Sequence, residues 1–269
     1  MTGGRPPEGA PGGARHVVTA RDGTVATVTM DRPERRNALS VAHMRELTAA
    51  LQAVGEDRSL GVVVLAGAGP AFCAGHDLGE IAGADEDGLR EVFDVCVALM
   101  ETVQSIPQPV IARVQGIATA AGCQLVATCD LAVAADDARF ATPGVRIGLF
   151  CSTPMVALSR AVSPKRAMEM LLTGDPITAR EALEAGLVNR VVPAARLQEE
   201  TLALARRVAE GSRTVVGIGK RAFHEQLAMS QRDAYRYAAA VMVANALGPD
   251  AREGVCAFLE KRPPVWPEG

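Results

Sequence analysis

Aromatic residues are scarce: Phe, Trp and Tyr make up 3% of the 269 residues. That argues against the stacking platforms used by single-stranded nucleic-acid binders. An excess of either charge is also missing. The formal net charge is −3, so bulk electrostatics pulls the chain toward neither nucleic acid nor an anionic membrane. No apolar run reaches the roughly 18 residues of a membrane span, and no membrane association is expected. Four histidines (His16, His43, His76, His224) lie without HExxH spacing, so no metal site is expected. Six cysteines occur without a CxxC. Set among Ala, Val, Leu and Phe, with no secretion signal, they read as buried free thiols.

Several catalytic signatures are absent or broken. No GxSxG occurs, which excludes the α/β-hydrolase elbow. "GAGPAF" begins like a dinucleotide fingerprint, but Phe72 takes the third glycine position and Pro70 interrupts the turn. An unrelated dinucleotide-binding oxidoreductase is therefore set aside. "GIGKR" would need a glycine at 214 and a hydroxyl at 221 to be a phosphate loop; Thr214 and Arg221 stand there.

What is present reads as an α/β chain. Residues 1–15, rich in Gly and Pro, are expected to form a disordered tail. "HVVTARDGTVATVTMDRP" alternates around Asp22 and Gly23, a hairpin signal. Ser40 then opens a helix that offers Ala42, Met44, Leu47 and Leu51 to the core. "LGVVVLAGAG" predicts a strand covered on both faces. A helix, "GLREVFDVCVALMETVQS", and strands in "PQPVIARVQG" and "DLAVAAD" follow. Past Thr153 the pattern turns helical. Ser163 caps a helix with Pro164 at its first position and Gly174 beyond its end. Thr178 and Glu181 make a capping box. After a brief strand in "LVNRVVP", helices are predicted near 195–210, 213–228, 230–247 and from Asp250 to Glu260. The expected division is a core over 16–200 and a helical region over 201–269 involved in oligomer packing.

Two loops share one design. In "GPAFCAGHDLGEI" and in "QGIATAAGCQLVATCD" a strand ends, small residues allow close approach, and a helix begins. Each can aim free N–H groups of a first helical turn at a ligand oxygen. Two such donors converging on one thioester carbonyl make an oxyanion hole, where losing one donor costs about 2.7–4 kcal/mol. Taken singly, each loop reads as well as tight helix–strand packing.

These two segments, together with "MDRPERRNALS", "FATPGVRIGLF", "AMEMLLTGDPITAREALEAGLVNRVVP" and "EGVCAFLEKRPPVW", resemble the crotonase superfamily, the enoyl-CoA hydratase/isomerase family. The resemblance spans about residues 17 to 266. Within the family the chain looks closest to the enoyl-CoA hydratase domain-containing protein 3 branch. The resemblance implies a crotonase-like core of repeated ββα units, a homotrimer or hexamer, and acyl-CoA as ligand, in fatty-acid metabolism of lyase or isomerase type. Coenzyme A enters as the thioester substrate, with no further cofactor. The oxyanion donors carried over are the backbone N–H groups of His76 and Ala121. Ala74, His76, Asp77 and Leu78 would border the adenine and pantetheine. Arg35, Arg36, Ala38 and Leu39 match the loop beside the CoA, where arginine suits phosphate. Lys220 and Phe258 would approach CoA of the same or a neighbouring subunit. A cytoplasmic setting is expected, with the mitochondrial matrix as the eukaryotic alternative.

The chain departs from the family at the decisive positions. Hydratases of this family use two glutamates; here Gln124 and Gly144 replace both. An amide orients water but neither gives nor takes a proton near neutral pH, and each lost acid–base group removes about 10²–10⁴-fold in rate. Cys151 and Ser152 are the replacement candidates, with the His76 imidazole expected to face solvent or adenine. Two readings result: an enzyme that stabilises a thioester oxyanion without two-glutamate hydration, or a non-catalytic acyl-CoA-binding protein. Glycine at 144 is expected to leave only space, so Gln124→Glu with Gly144→Glu is expected to raise crotonyl-CoA hydration.

Overall fold

The computed structural model describes residues 16–267, and the segment expected to be a disordered tail lies outside them. The chain opens with the hairpin its alternation predicts. Strands β1 (Val17–Asp22) and β2 (Val25–Met30) pair antiparallel around Gly23, whose φ of +59° needs glycine. Helix α1 (Val41–Glu56) follows, with the Ser40 side chain accepting from the His43 N–H at its start. Its buried face holds His43, Met44, Leu47, Leu51 and Val54. Ala42, expected on that face, is exposed. Its neighbour His43 turns inward instead because its Nδ1 reaches the Ala38 carbonyl at 3.1 Å.

Strand β3 (Val62–Gly67) is buried along its whole length. Helices α2 (Leu78–Gly83) and α3 (Glu86–Ser105) lead to β4 (Val110–Val114), β5 (Ile117–Thr119), α4 (Ala121–Thr128), β6 (Leu131–Ala135) and β7 (Arg139–Ala141). Then come α5 (Ser152–Ala161), α6 (Pro164–Thr173), β8 (Ile177–Thr178), α7 (Ala179–Glu184) and β9 (Arg190–Val192). Four helices close the described chain: α8 (Leu197–Ala209), α9 (Arg213–Gln226), α10 (Gln231–Ala246) and α11 (Pro249–Glu260). The capping box at Thr178 and Glu181 forms, and Gly174 ends α6 in the left-handed conformation.

The main sheet runs β1-β2-β3-β4-β6-β9, parallel from β2 onward. Alternate residues serve opposite faces, as a pleated strand requires. Val63, Leu65, Ala112 and Ala134 join the larger core with α1, α3 and α4. Val62, Val64, Ile111 and Val133 pack under Leu197 and Ala205 of α8. Three very short strands, β5, β7 and β8, make a second sheet that the sequence pattern does not announce. With two or three residues each, they are too short to show a period. That small sheet holds α4 against the loop that follows β3.

Candidate functional site

The two loops meet at the carboxyl ends of β3 and β4, and small residues are the reason they can. Gly75 has φ +92°, and a Cβ there would lie 2.9 Å from the Ala120 Cβ, 2.9 Å from the Thr119 carbonyl oxygen and 3.4 Å from the Ala121 nitrogen. At Gly122 a Cβ would lie 2.9 Å from the Cys73 Cβ and drive into that residue's carbonyl. The loops are also hydrogen-bonded to each other. The Thr119 N–H donates to the Cys73 carbonyl at 3.0 Å, and the Thr119 hydroxyl to the Ala74 carbonyl at 3.0 Å.

A third segment braces the first loop from outside. Leu39 N–H donates to the Gly75 carbonyl at 2.8 Å, and Asp77 N–H to the Leu39 carbonyl at 3.0 Å. Asn37, fully buried at φ +56°, gives its amide hydrogens to the carbonyls of Ala68, Ala71 and Phe72. Its amide oxygen accepts from the Arg32 N–H at 2.9 Å. The sequence reading names the segment but misses this residue. An Asn between Arg36 and Ala38 carries a signal only once its left-handed backbone is known.

This bracing leaves two donors open. Gly75 and Asp77 are the residues that pair with Leu39, so the His76 N–H points away from that contact. Ala121 is the first residue of α4 and has no carbonyl one turn earlier to bond. Among the described residues, neither N–H has a protein acceptor. Ala120, between the loops, holds φ +50° and ψ −118°, a conformation open to glycine and strained for alanine.

Both donors border a cavity of about 440 Å³. Ala74, His76, Leu78, Ala121, Gly144, Cys151 and Ser152 line it, all of them named from the sequence. Most of its remaining wall was not anticipated: Ile81 and Phe93 from α2 and α3, and Pro143, Arg146, Ile147, Leu149 and Phe150 from the stretch before α5. Ile147, Leu149 and Phe150 are 58%, 44% and 43% exposed, so a strongly apolar mouth faces solvent. Among the described residues, no carboxylate lines the cavity.

The imidazole of His76, expected to face solvent or adenine, turns away from solvent. It stands edge-to-face on Phe93 with ring centroids 5.5 Å apart. Its Nε2 is buried without a partner, and burial lowers its pKa from 6.5 to about 4. The ring is neutral at physiological pH. Cys151 sits at the N-cap of α5, where its sulfur accepts the Gly144 N–H at 3.3 Å. Burial nevertheless pushes this thiol above its ordinary pKa. The Ser152 hydroxyl, exposed at the first position of α5, turns back to the Phe150 carbonyl at 3.4 Å.

Gly144 borders the cavity, but its Cβ direction is filled, which corrects the expectation that it leaves only space. A Cβ there would lie 2.8 Å from the Cys151 sulfur and run into the Leu149 carbonyl. Gln124 does not line the cavity. Its side chain is buried, and its amide oxygen receives the Cys96 thiol of α3 at 3.9 Å. Leu39 is fully buried in the core, and Ala38 serves through its carbonyl, which accepts from Arg32 at 3.0 Å. Asp77 caps α2 by accepting from the Gly79 N–H at 3.1 Å and lies 3.7 Å from the Arg32 guanidinium. Arg35 and Arg36 are exposed on the bracing segment, outside the cavity wall.

Lys220 and Phe258 are not at this site in the chain described. Lys220 is buried, and its ammonium is satisfied by the carbonyls of Val103 and Gln108 and by Asp130 at 2.8 Å. It pins α9 to the core. Phe258 is 83% exposed on α11. The free cysteines are buried at Cys73, Cys96, Cys123 and Cys151, half-buried at Cys129 and exposed at Cys256. Burial lifts the thiols of Cys73, Cys96 and Cys123 to about 12. Among the described residues no His, Cys, Asp and Glu cluster could hold a metal ion, and no helix is long and apolar enough to cross a membrane.

Comparison with known proteins identifies the family and the fold. The family model described as enoyl-CoA hydratase/isomerase matches residues 20–269. The chain is 48% identical over 251 residues to the Danio rerio protein named enoyl-CoA hydratase domain-containing protein 3, mitochondrial, covering 93% of this chain and 87% of that one. Among solved structures it is similar to an enoyl-CoA hydratase of Mycobacterium smegmatis, with 49% identity, 93% and 98% coverage and a TM-score of 0.91. The human enoyl-CoA hydratase domain-containing protein 3 gives a TM-score of 0.91 at 47% identity, covering 94% of this chain and all of that one.

Proposed function

The chain belongs to the enoyl-CoA hydratase/isomerase family, and from that premise we propose that its apolar cavity takes an acyl-CoA thioester and stabilises an oxyanion on the thioester oxygen. One observation carries this reading: two adjacent backbone N–H groups, of His76 and Ala121, border an apolar cavity without a protein acceptor. Donors fixed by the main chain lose nothing to reorganisation when negative charge develops. Polarising the carbonyl acidifies the α-carbon, so the chemistry supported is enolate or oxyanion stabilisation. Two-glutamate hydration is not supported, because Gln124 and Gly144 stand at the glutamate positions. Besides Arg146, whose guanidinium pairs with Asp175, Cys151 and the neutral His76 ring are the titratable side chains at the cavity, and Cys151 is the better proton carrier of these two, being the one already held by a backbone donor.

Arg35 and Arg36, exposed on the bracing segment, suit the phosphates of the coenzyme outside the cavity. The exposed apolar side chains of the last helices, among them Met242, Val243, Phe258 and Leu259, support assembly into a trimer or hexamer. Phe258 would then meet the ligand of a neighbouring copy. The compartment is the one that holds the acyl-CoA: the relatives named as mitochondrial favour the matrix, and the cytoplasm is the alternative.

The lack of any carboxylate at the cavity favours a second reading, an acyl-CoA-binding protein without turnover. Incubating a saturated acyl-CoA with the protein in heavy water separates the two. The catalytic reading expects loss of the α-proton NMR signal, slowed by Cys151→Ala. Binding with neither exchange nor turnover across enoyl-, hydroxyacyl- and malonyl-CoA establishes the second reading instead.

A further inference from the structure

A second cavity, of about 490 Å³, lies at the opposite end of the main sheet, beside the amino ends of β3 and β4. Its floor is apolar, with Leu60, Ile106, Pro107 and Ile218. Its rim carries three arginines: Arg58 after α1, and Arg213 and Arg221 from α9. Among the described residues, no Asp or Glu lines it. Among the described residues none of these guanidinium groups has a carboxylate partner, and the Arg213 Nε is buried with no hydrogen bond at all. Two carboxylates placed beside these arginines are engaged elsewhere: Asp57 precedes Arg58, and Asp250 bonds Ser212, which precedes Arg213. Asp57 pairs with Arg21 and accepts from the Ser59 N–H, and Asp250 accepts from the Ser212 hydroxyl. Arg213, the first residue of α9, sits at the positive end of that helix. Gln108, 4% exposed, also lines the cavity. Its amide nitrogen serves the carbonyls of Val54 and Asp57, while its amide oxygen has no partner.

Three arginines lining one cavity, with no carboxylate partner among the described residues, over apolar side chains and beside an unmatched acceptor, describe a ligand. It carries a dianion for the arginines, a flat or apolar body for the floor, and an N–H or O–H donor for Gln108. We propose that this cavity binds a small phosphate monoester of nucleotide size, at a site separate from the thioester cavity. Arginine forks match phosphate oxygens bidentately, and the volume falls in the range of small-molecule sites. The proposal does not depend on the acyl-CoA reading.

Titration calorimetry of the full chain with AMP, adenosine and inorganic phosphate tests it. AMP is expected to bind, at least tenfold tighter than phosphate, with adenosine silent and affinity falling as salt rises. Arg58→Ala and Arg221→Ala alter exposed side chains, so the fold should survive. Each is expected to weaken AMP at least tenfold while leaving acyl-CoA binding unchanged. No AMP binding, AMP no tighter than phosphate, or AMP binding indifferent to both variants overturns the proposal. So does a change of assembly size in either variant by sedimentation, which would mean that another copy of the chain fills the cavity.

Discussion

Gly144→Ala asks whether the glutamate of this position is merely missing or is walled out. A Cβ at residue 144 would meet the Cys151 sulfur at 2.8 Å and collide with the Leu149 carbonyl. Neither neighbour is the free end of a flexible side chain. One is main chain; the other is a buried thiol that holds the Gly144 N–H at 3.3 Å. Relief therefore requires residues 149–151 to move. Overpacking a filled site costs about 1–3 kcal/mol, and loss of the hydrogen bond adds about 0.5–1.5 kcal/mol. The expected destabilisation is about 2–4 kcal/mol. At about 2–4 °C per kcal/mol for a chain of this length, the unfolding midpoint should fall by roughly 5–15 °C. Circular dichroism at one fixed protein concentration measures it, because assembly makes Tm depend on concentration. Adding Cys151→Ala to Gly144→Ala removes one of the two clashing groups and should restore part of the loss. A single variant whose midpoint stays within about 1 °C of the parent would refute this reasoning. The consequence for activity reverses the expectation drawn from the sequence. Gln124→Glu with Gly144→Glu should leave crotonyl-CoA hydration at background, since the second carboxylate has no room.

Two further outcomes follow from the same site. Ala120 holds a glycine-type backbone, a strain of about 1–3 kcal/mol, against which glycine's extra unfolded-state entropy returns about 0.4–1 kcal/mol. Ala120→Gly should thus raise the unfolding free energy in urea by about 1 kcal/mol; an unchanged or lower value means that the loop is not strained. His76 is lowered by burial from 6.5 to about 4, so the folded chain refuses a proton that the unfolded chain accepts. Its contribution is complete above the unfolded pKa of 6.5 and is lost as pH falls through the window down to about 4. His43, also lowered by burial, adds to the same loss. His76→Leu should flatten the decline in urea midpoint between pH 7 and pH 5, and a profile parallel to the parent's would count against it.

Local signals in the sequence carried far where one residue decides the geometry. Asp22 and Gly23 mark the hairpin, Ser40 and Ser163 open their helices, Gly174 closes α6, and Thr178 with Glu181 boxes α7. What was not legible depends on side-chain direction and on meetings between distant segments. Gln124 lies one turn into α4, and only the packing of α3 sends its side chain toward Cys96 rather than into the cavity. Phe93 reads as a core residue of an amphipathic helix until α3 is seen to pass beside His76. Leu149 and Phe150 are apolar residues in a turn, which ordinary scattered exposure would explain; their place at the cavity mouth depends on how residues 143–151 wrap over it. Lys220 was expected to approach CoA of the same or a neighbouring subunit, yet its neighbours across the fold are two carbonyls and Asp130.

The donors of the candidate site belong to the main chain, and several of the contacts that set their spacing are main-chain contacts too: Thr119 to Cys73, Leu39 to Gly75 and Asp77. Mutation exchanges side chains, not peptide groups. A lineage with this scaffold can therefore discard, replace or relocate its proton-handling residues while its grip on a thioester oxygen persists. In such a protein the ligand is the inherited trait and the reaction is the variable one.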